Sequence, residues 1–189
     1  NLKPFTTSTA PSRLGPESRI ATKVLRDGQL ASGGVLHGSL YLQGAGDPTL
    51  GTPAFYNSYL AGLGTNIFAL VPQIRAAGIR SISGRLYADD TVFDRRRGVA
   101  DSGYATSSYI GPLSGLAFNS GFAGSMVSSG FSSDPAKLAA SKLARSLSAS
   151  GVAVPPQVAL AKTPAKAEQV AIVRSPTLTQ IVNTTDVYS

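Results

Sequence analysis

Glycine and proline punctuate this chain so often that it has to be assembled from pieces joined by turns. There are 20 Gly and 12 Pro in 189 residues. Glycine opens left-handed backbone conformations, and proline removes a hydrogen-bond donor and fixes φ. With many Ser and Thr alongside, this predicts a loop-rich α+β or β-rich protein. Hydrophobic residues at 42% against 14% charged make the chain globular rather than disordered. The length suits one sizeable core or two small domains.

The pieces can be read in order. Residues 4–13 predict a helix that Pro11 ends or bends. Arg19 to Leu25 reads as a strand, Asp27-Gly28 as a hairpin turn, and Val35 to Leu42 as the returning strand. Gly44 to Gly51 (GAGDPTLG) is a turn-rich loop. Ile67, Leu70, Val71, Ile74 and Ala77 recur at helical spacing up to Gly78, with Pro72 inside the pattern. Ile79 to Ala88 predicts a strand pair or one strand bent at Gly84, and residues 94–112 a loop. Asp134-Pro135 starts a helix with an N-cap and an N1 proline. Ala136, Ala140, Leu143 and Leu147 line one face of it, and Gly151 closes it. Pro155-Pro156 and Lys162 to Lys166 read as a linker, Val170 to Val173 as a strand, and Ser175-Pro176 as the start of a last helix.

Several chemistries are excluded. The chain has no cysteine, so thiol catalysis, thiolate metal sites and disulfides are absent. His37 is the single histidine, and a Ser-His-Asp triad would depend on it alone; in its strand pattern it reads as exposed or half-buried. No run approaches the roughly 18 apolar residues of a membrane span. The net charge of +7 suits an anionic partner. The only dense basic run, Arg95-Arg96-Arg97, has no interleaved aromatics, so nucleic acid is not expected and a polyanionic envelope fits equally well. We read that run as a solvated loop, Asp89-Asp90 as a turn or cap, and Asp47-Pro48 as a structural turn rather than a metal or phosphate loop. Tyr104 and Tyr109 flank a loop and receive no substrate role.

Five blocks then stand in a telling order. They are Asn1-Leu2-Lys3 with Phe5-Thr6-Thr7; Gly38-Ser39-Leu40-Tyr41-Leu42 running into Gly44 to Leu50; Ser83-Gly84-Arg85-Leu86 with Asp89-Asp90 and Phe93; Tyr109 to Ser114 ending in Asn119; and Thr185 to Ser189. In this order the chain resembles the D-Ala-D-Ala carboxypeptidase/endopeptidase family of penicillin-binding proteins (peptidase family S13, DacB-like). The resemblance spans almost the whole chain, and its second block is the most specific.

The resemblance implies a serine-type DD-peptidase of the cell envelope. It would act on peptidoglycan stem peptides through an acyl-enzyme, be acylated by β-lactams and need no cofactor. In the family a Ser-x-x-Lys element opens the active-site helix, and Ser-x-Asn and Lys-Thr-Gly complete the site. On this resemblance Lys3 is the proton-accepting lysine, and the nucleophile is the residue before Asn1. Ser189 is the serine of Ser-x-Asn, and Lys-Thr-Gly lies further on. The chain then corresponds to an internal portion of such an enzyme. Without the family, Lys3 is a solvated lysine and Ser189 a polar terminal residue. The implied fold is α+β: a serine β-lactamase/DD-transpeptidase-like domain (1–20 and 168–189) interrupted by a strand-rich inserted domain (21–167).

The sequence departs from the family in two respects. Asn119 is followed closely by the Asp134-Pro135 helix start, so a smaller nested domain is reduced or missing. Pro4 and Pro11 predict a short or bent active-site helix. Two other functions compete: a non-catalytic cell-wall-binding or structural module of the same fold, and a basic domain that binds nucleic acid.

Overall fold

The longest strands, β1 (Ala21–Leu30) and β2 (Val35–Gln43), form an antiparallel hairpin at the centre of a mixed sheet. The computed structural model describes residues 3–98, 110–124 and 127–188. β2 also pairs in parallel with β5 (Ser81–Ile82) and β6 (Leu86–Asp89), and β6 with β7 (Ala159–Leu160). On the other side β1 pairs antiparallel with β8 (Glu168–Arg174). The strand order is β7-β6-β2-β1-β8, with β5 on β2. A separate two-residue pairing joins β3 (Leu50–Gly51) to β4 (Thr65–Asn66).

The helices are α1 (Lys3–Leu14), α2 (Pro53–Tyr59), α3 (Leu70–Ala76), α4 (Pro135–Ala149) and α5 (Leu178–Tyr188). α3 and α4 cover one face of the sheet. Val24, Leu36, Leu40, Leu42, Leu86 and Ala171 meet Ile67, Leu70, Ile74, Ala140, Leu143 and Leu147 in one buried core. Burying a Leu or Ile side chain contributes about 1.5–3 kcal/mol, so this layer contact holds the domain together. The α4 face expected from the sequence is the one that is buried, and Asp134 Oδ1 accepts from Lys137 N as the N-cap. Gly151 follows the helix at φ +83°.

Three expectations are corrected. Asp27-Gly28 is not the hairpin turn. β1 runs on to Leu30, and the reversal occurs at residues 31–34, where Gly34 (φ +79°) donates from N to Ala31 O at 2.9 Å. Gly28 instead lies opposite Gly38, because the strands approach too closely for side chains. A Cβ on Gly38 would lie 2.0 Å from Asp27 O, and one on Gly84 would lie 2.6 Å from Gly38 O. The glycines that read as turns are a contact between backbones.

Second, Pro11 does not end α1. The helix continues to Leu14 and stops at Gly15, at φ +91°. Third, the linker around Lys162 to Lys166 is not free. β7 and β8 sit at opposite edges of the sheet, four strand spacings or roughly 19 Å apart. Residues 161–167 cross that distance as a strap over the face opposite the helices. Thr163 N donates to Asp89 Oδ2 at 2.7 Å, and Lys166 Nζ pairs with Asp27 at 3.4 Å. Beneath the strap Tyr41 stacks on Tyr87 at 5.0 Å. Burial, helped by the Asp27 carboxylate and Tyr87, raises the Tyr41 phenol above its ordinary pKa.

Residues 79–88 are one strand bent at Gly84, since both β5 and β6 run parallel to β2. The edge strand β8 is held from the helix side as well. Gln73 on α3 donates from Nε2 to Ile172 O and accepts from Ile172 N, each at 2.9 Å. Groups that an exposed edge would offer to another chain are thereby occupied.

Candidate active site

Two features lie at the same end of the sheet: the chain's entry and exit, and the loops that follow β2 and β6. Ala21 opens β1 opposite Arg174, the last residue of β8, and nearby Lys23 lies opposite Gln43, the last residue of β2. The entry and exit segments are tied to each other. Ser175 is fully buried; its Oγ accepts from Ile20 N at 2.8 Å and donates to Pro176 O at 2.6 Å. Ser175 N donates to Ile20 O at 2.8 Å, and Arg19 Nη1 to Ser175 O at 2.9 Å. Further out, Leu178 N donates to Ser18 O, and Thr179 N and Oγ1 donate to Pro16 O.

These bonds set the start of α5 beside the end of α1, and the two helices pack against each other. Twelve and eleven residues make helices of about 18 and 16 Å. α1 therefore ends, and α5 begins, at one junction, from which both helices run in contact. Of Lys3 only the backbone, as the first residue of α1, is described; Ser189 lies outside the described residues. Phe5, Leu14 and Val187 leave large apolar surfaces exposed on this pair.

The loops at the same end are built on two copies of one device. Asp47 Oδ1 accepts from Thr49 N at 2.8 Å and Thr49 Oγ1 at 2.7 Å. Asp89 Oδ1 accepts from Thr91 N at 3.0 Å and Thr91 Oγ1 at 2.7 Å. Each is an Asp-x-Thr turn in which the side chain stands in for a backbone acceptor. The second oxygens diverge. Asp47 Oδ2 takes Thr65 Oγ1 at 2.6 Å and so fixes β4, while Asp89 Oδ2 takes the strap at Thr163 and Gln43 Nε2. Burial raises the Asp47 pKa despite its hydroxyl donors. At Asp89 burial acts the same way, but the donors Thr163 and Thr91 outweigh it and hold the carboxyl below its ordinary value.

Asp90 and Arg97 correct the reading of the basic run as a solvated loop. Arg97 Nη1 pairs with Asp90 at 2.6 Å, with both side chains largely buried, and its Nη2 lies 3.7 Å from the α4 cap Asp134. Only Arg95 and Arg96 remain exposed. Ser114 Oγ donates to Asp90 Oδ2 at 3.1 Å, and Gly46 N donates to Gly115 O at 2.8 Å. Asn119 adopts φ +50° and accepts from Thr52 N, the N-cap of α2, at 3.0 Å. Three sequence blocks thus close on one another. Tyr104 and Tyr109 lie outside the described residues. His37 is exposed on β2. Among the described residues no three His, Cys, Asp or Glu side chains group as a metal site, and no helix is long and apolar enough to cross a membrane.

The sequence matches the D-Ala-D-Ala carboxypeptidase 3 (S13) family over residues 1–129 and 126–187. The chain belongs to this family. It is 34% identical over 118 residues to a D-alanyl-D-alanine carboxypeptidase of Actinomadura sp. (strain R39), covering 60% of this chain and 20% of that protein. The fold is similar to penicillin binding protein 4 (dacB) from Haemophilus influenzae: TM-score 0.68, 17% identity, 93% of this chain and 50% of that one. A second structure of that protein, complexed with a novel β-lactam, matches at TM-score 0.56 and 16% identity over 93% of this chain and 49% of that chain. The chain thus spans about half of that penicillin binding protein and a fifth of the carboxypeptidase from Actinomadura.

The expected α+β class holds for this S13 chain. Sequence reasoning missed the roles of Ser175, Asn119 and Arg97. A repeated Asp-x-Thr was available as a signal for the loop turns; Ser175 carries none, since its partner Ile20 lies far away in the chain, and Arg97 carries none, since nothing in the run 95–97 marks which arginine turns back onto Asp90.

Proposed function

We propose that this S13 chain contributes one side of the active site of a serine DD-peptidase that cleaves peptidoglycan stem peptides and is acylated by β-lactams. The observation that supports the reading is the packing of α1 against α5, which begins where Ile20 and Ser175 tie the two segments that lead to Lys3 and to Ser189. Lys3 takes the role of the proton acceptor, for a serine that would stand immediately before Asn1. Residues three apart on a helix share a face, as this transfer requires. Ser189, one residue beyond α5, takes the proton-relay role. A free lysine, with pKa near 10.4, is a weak base at neutral pH, so the reading requires burial or a second cation beside Lys3 in the complete site.

On this reading α1 and α5 belong to the transpeptidase-like domain and the sheet with α3 and α4 to the inserted domain, with the Ile20–Ser175 ties as the neck between them. The apolar surfaces of Phe5, Leu14 and Val187 would be covered by the rest of the catalytic core. Such an enzyme works outside the cytoplasm, where its substrate lies.

The test is covalent labelling of the full-length protein with a fluorescent penicillin. Lys3→Ala should slow acylation by about 10²- to 10⁴-fold, the usual contribution of a positioned proton acceptor, with the melting temperature unchanged. An alanine or glycine before Asn1, or a full-length wild-type protein that takes no label, would instead support the non-catalytic wall-binding module; a Lys3→Ala protein that labels at the wild-type rate would remove the proton-acceptor role from Lys3.

A further inference from the structure

Charge is distributed very unevenly over this chain. Between Pro135 and Ala167 there is no Asp or Glu, yet Lys137, Lys142, Arg145, Lys162 and Lys166 occur there. The first three lie on α4, whose outer side faces solvent. Lys137 and Arg145 are exposed and Lys142 half-buried, and none of the three is in an ion pair among the described residues.

The helix dipole does not call for them, although Lys and Arg are good helix formers. Lys137 sits in the first turn, where the helix dipole disfavours a cation. α4 has no acidic residue in its first turn and no basic residue in its last. The cations near α3 differ: Arg75 lies in its last turn, and Arg80 folds back to donate to Arg75 O at 2.6 Å. Those two make contacts at the helix end, whereas the three on α4 have no charged partner among the described residues.

Lys137, Ser141, Arg145 and Ser148 recur at intervals of four, four and three residues and form one stripe. The stripe borders two adjoining depressions. Ser141, Arg145, Ser148 and Pro156 line one; Ser148, Val152, Val154 and Pro155 line the other, of about 510 Å³. No aromatic side chain lines either. A nucleic acid would find nothing to stack its bases on. Lys137 and Arg145 are separated by about 12 Å along the axis, a sparse array that suits charges set apart by neutral spacers.

We propose that the α4 face binds a linear polyol-phosphate chain. Phosphates pair with Lys137, Lys142 and Arg145, and the hydroxylated spacer lies along Ser141, Ser148 and Pro156. None of these residues lies on α1 or α5, so the inference does not depend on the catalytic reading.

The test is titration of the full-length protein with a synthetic poly(glycerol phosphate) at several salt concentrations. The triple variant K137Q/K142Q/R145Q should weaken binding by about tenfold or more and lower the slope of log K against log salt by about two. Lys162→Gln with Lys166→Gln removes two charges from the strap on the opposite face and should change affinity by less than about twofold. If the triple variant does not fold, K137Q and R145Q singly should each weaken binding by about threefold. Penicillin labelling of the same samples should be unchanged, which separates this proposal from the fate of the catalytic one. Undetectable binding, an α4 variant that binds normally, or equal losses from the strap variant would overturn it. So would a single-stranded oligonucleotide that binds as tightly and with the same sensitivity to the α4 variants.

Discussion

Ile20 and Ser175, 155 positions apart, are joined by two hydrogen bonds of 2.8 Å, one from Ile20 N to Ser175 Oγ and one from Ser175 N to Ile20 O. They lie where the chain passes from α1 into the sheet and from the sheet into α5. Ser175→Ala would leave the Ile20 N–H without its acceptor beside a fully buried side chain. The cost should be about 1–3 kcal/mol, read as a lowered urea midpoint with an unchanged m-value. Ser175→Thr, which keeps the hydroxyl, should recover part of it if the added methyl is accommodated.

The buried pair Arg97–Asp90 should behave asymmetrically. Arg97→Met strands the Asp90 carboxylate and should destabilise by about 3–5 kcal/mol. Arg97→Met with Asp90→Asn removes both charges and should recover a large share of that loss. A double-mutant cycle by chemical denaturation measures the coupling. Additive effects of the two substitutions would show that the pair is not coupled in the folded protein.

Asp47 and Asp89 should give opposite signatures on the acid side. The Asp89 carboxyl is held below its ordinary pKa, so its stabilisation is present above the unfolded value near 3.9 and is lost as pH falls through the lower folded value. The Asp47 pKa is raised, so its contribution is fully present below the unfolded value and is lost as pH rises through the folded one. Asp89→Asn should therefore lose stability at neutral pH and approach wild type in acid. Asp47→Asn should be tolerated at neutral pH, because its amide can still serve Thr49 and Thr65, and should lose the wild-type gain on acidification. Melting temperatures between about pH 3 and 7 check both signs.

Much of the architecture was legible because its causes are local. α4 could be placed from an Asp-Pro start, a four-residue face and a closing Gly, all within about 17 residues of sequence that carry their own caps and periodicity. The family blocks marked the loops at one end of the sheet for the same reason, since Asp-x-Thr turns bond within three residues. The Asp27-Gly28 misreading shows the limit. A glycine forced by the backbone of a neighbouring strand looks, in one dimension, like a glycine forced by a turn.

The sequence by itself therefore determined most of the longer helices and strands, the apolar faces of α3 and α4, and the order of blocks that marks an S13 chain, but not the short elements α2, β3, β4 and β7. Only the tertiary structure decided that Gly38 and Gly84 are contact points, that residues 161–167 strap the open face, and that Arg97 is buried against Asp90. It also decided that α1 and α5 meet, through Ile20 and Ser175. The physical reason is that periodicity and caps report only on neighbours along one element. Each of these four depends on atoms brought together by strand pairing or by the path of a loop, and neither leaves a periodic trace in the segments it joins.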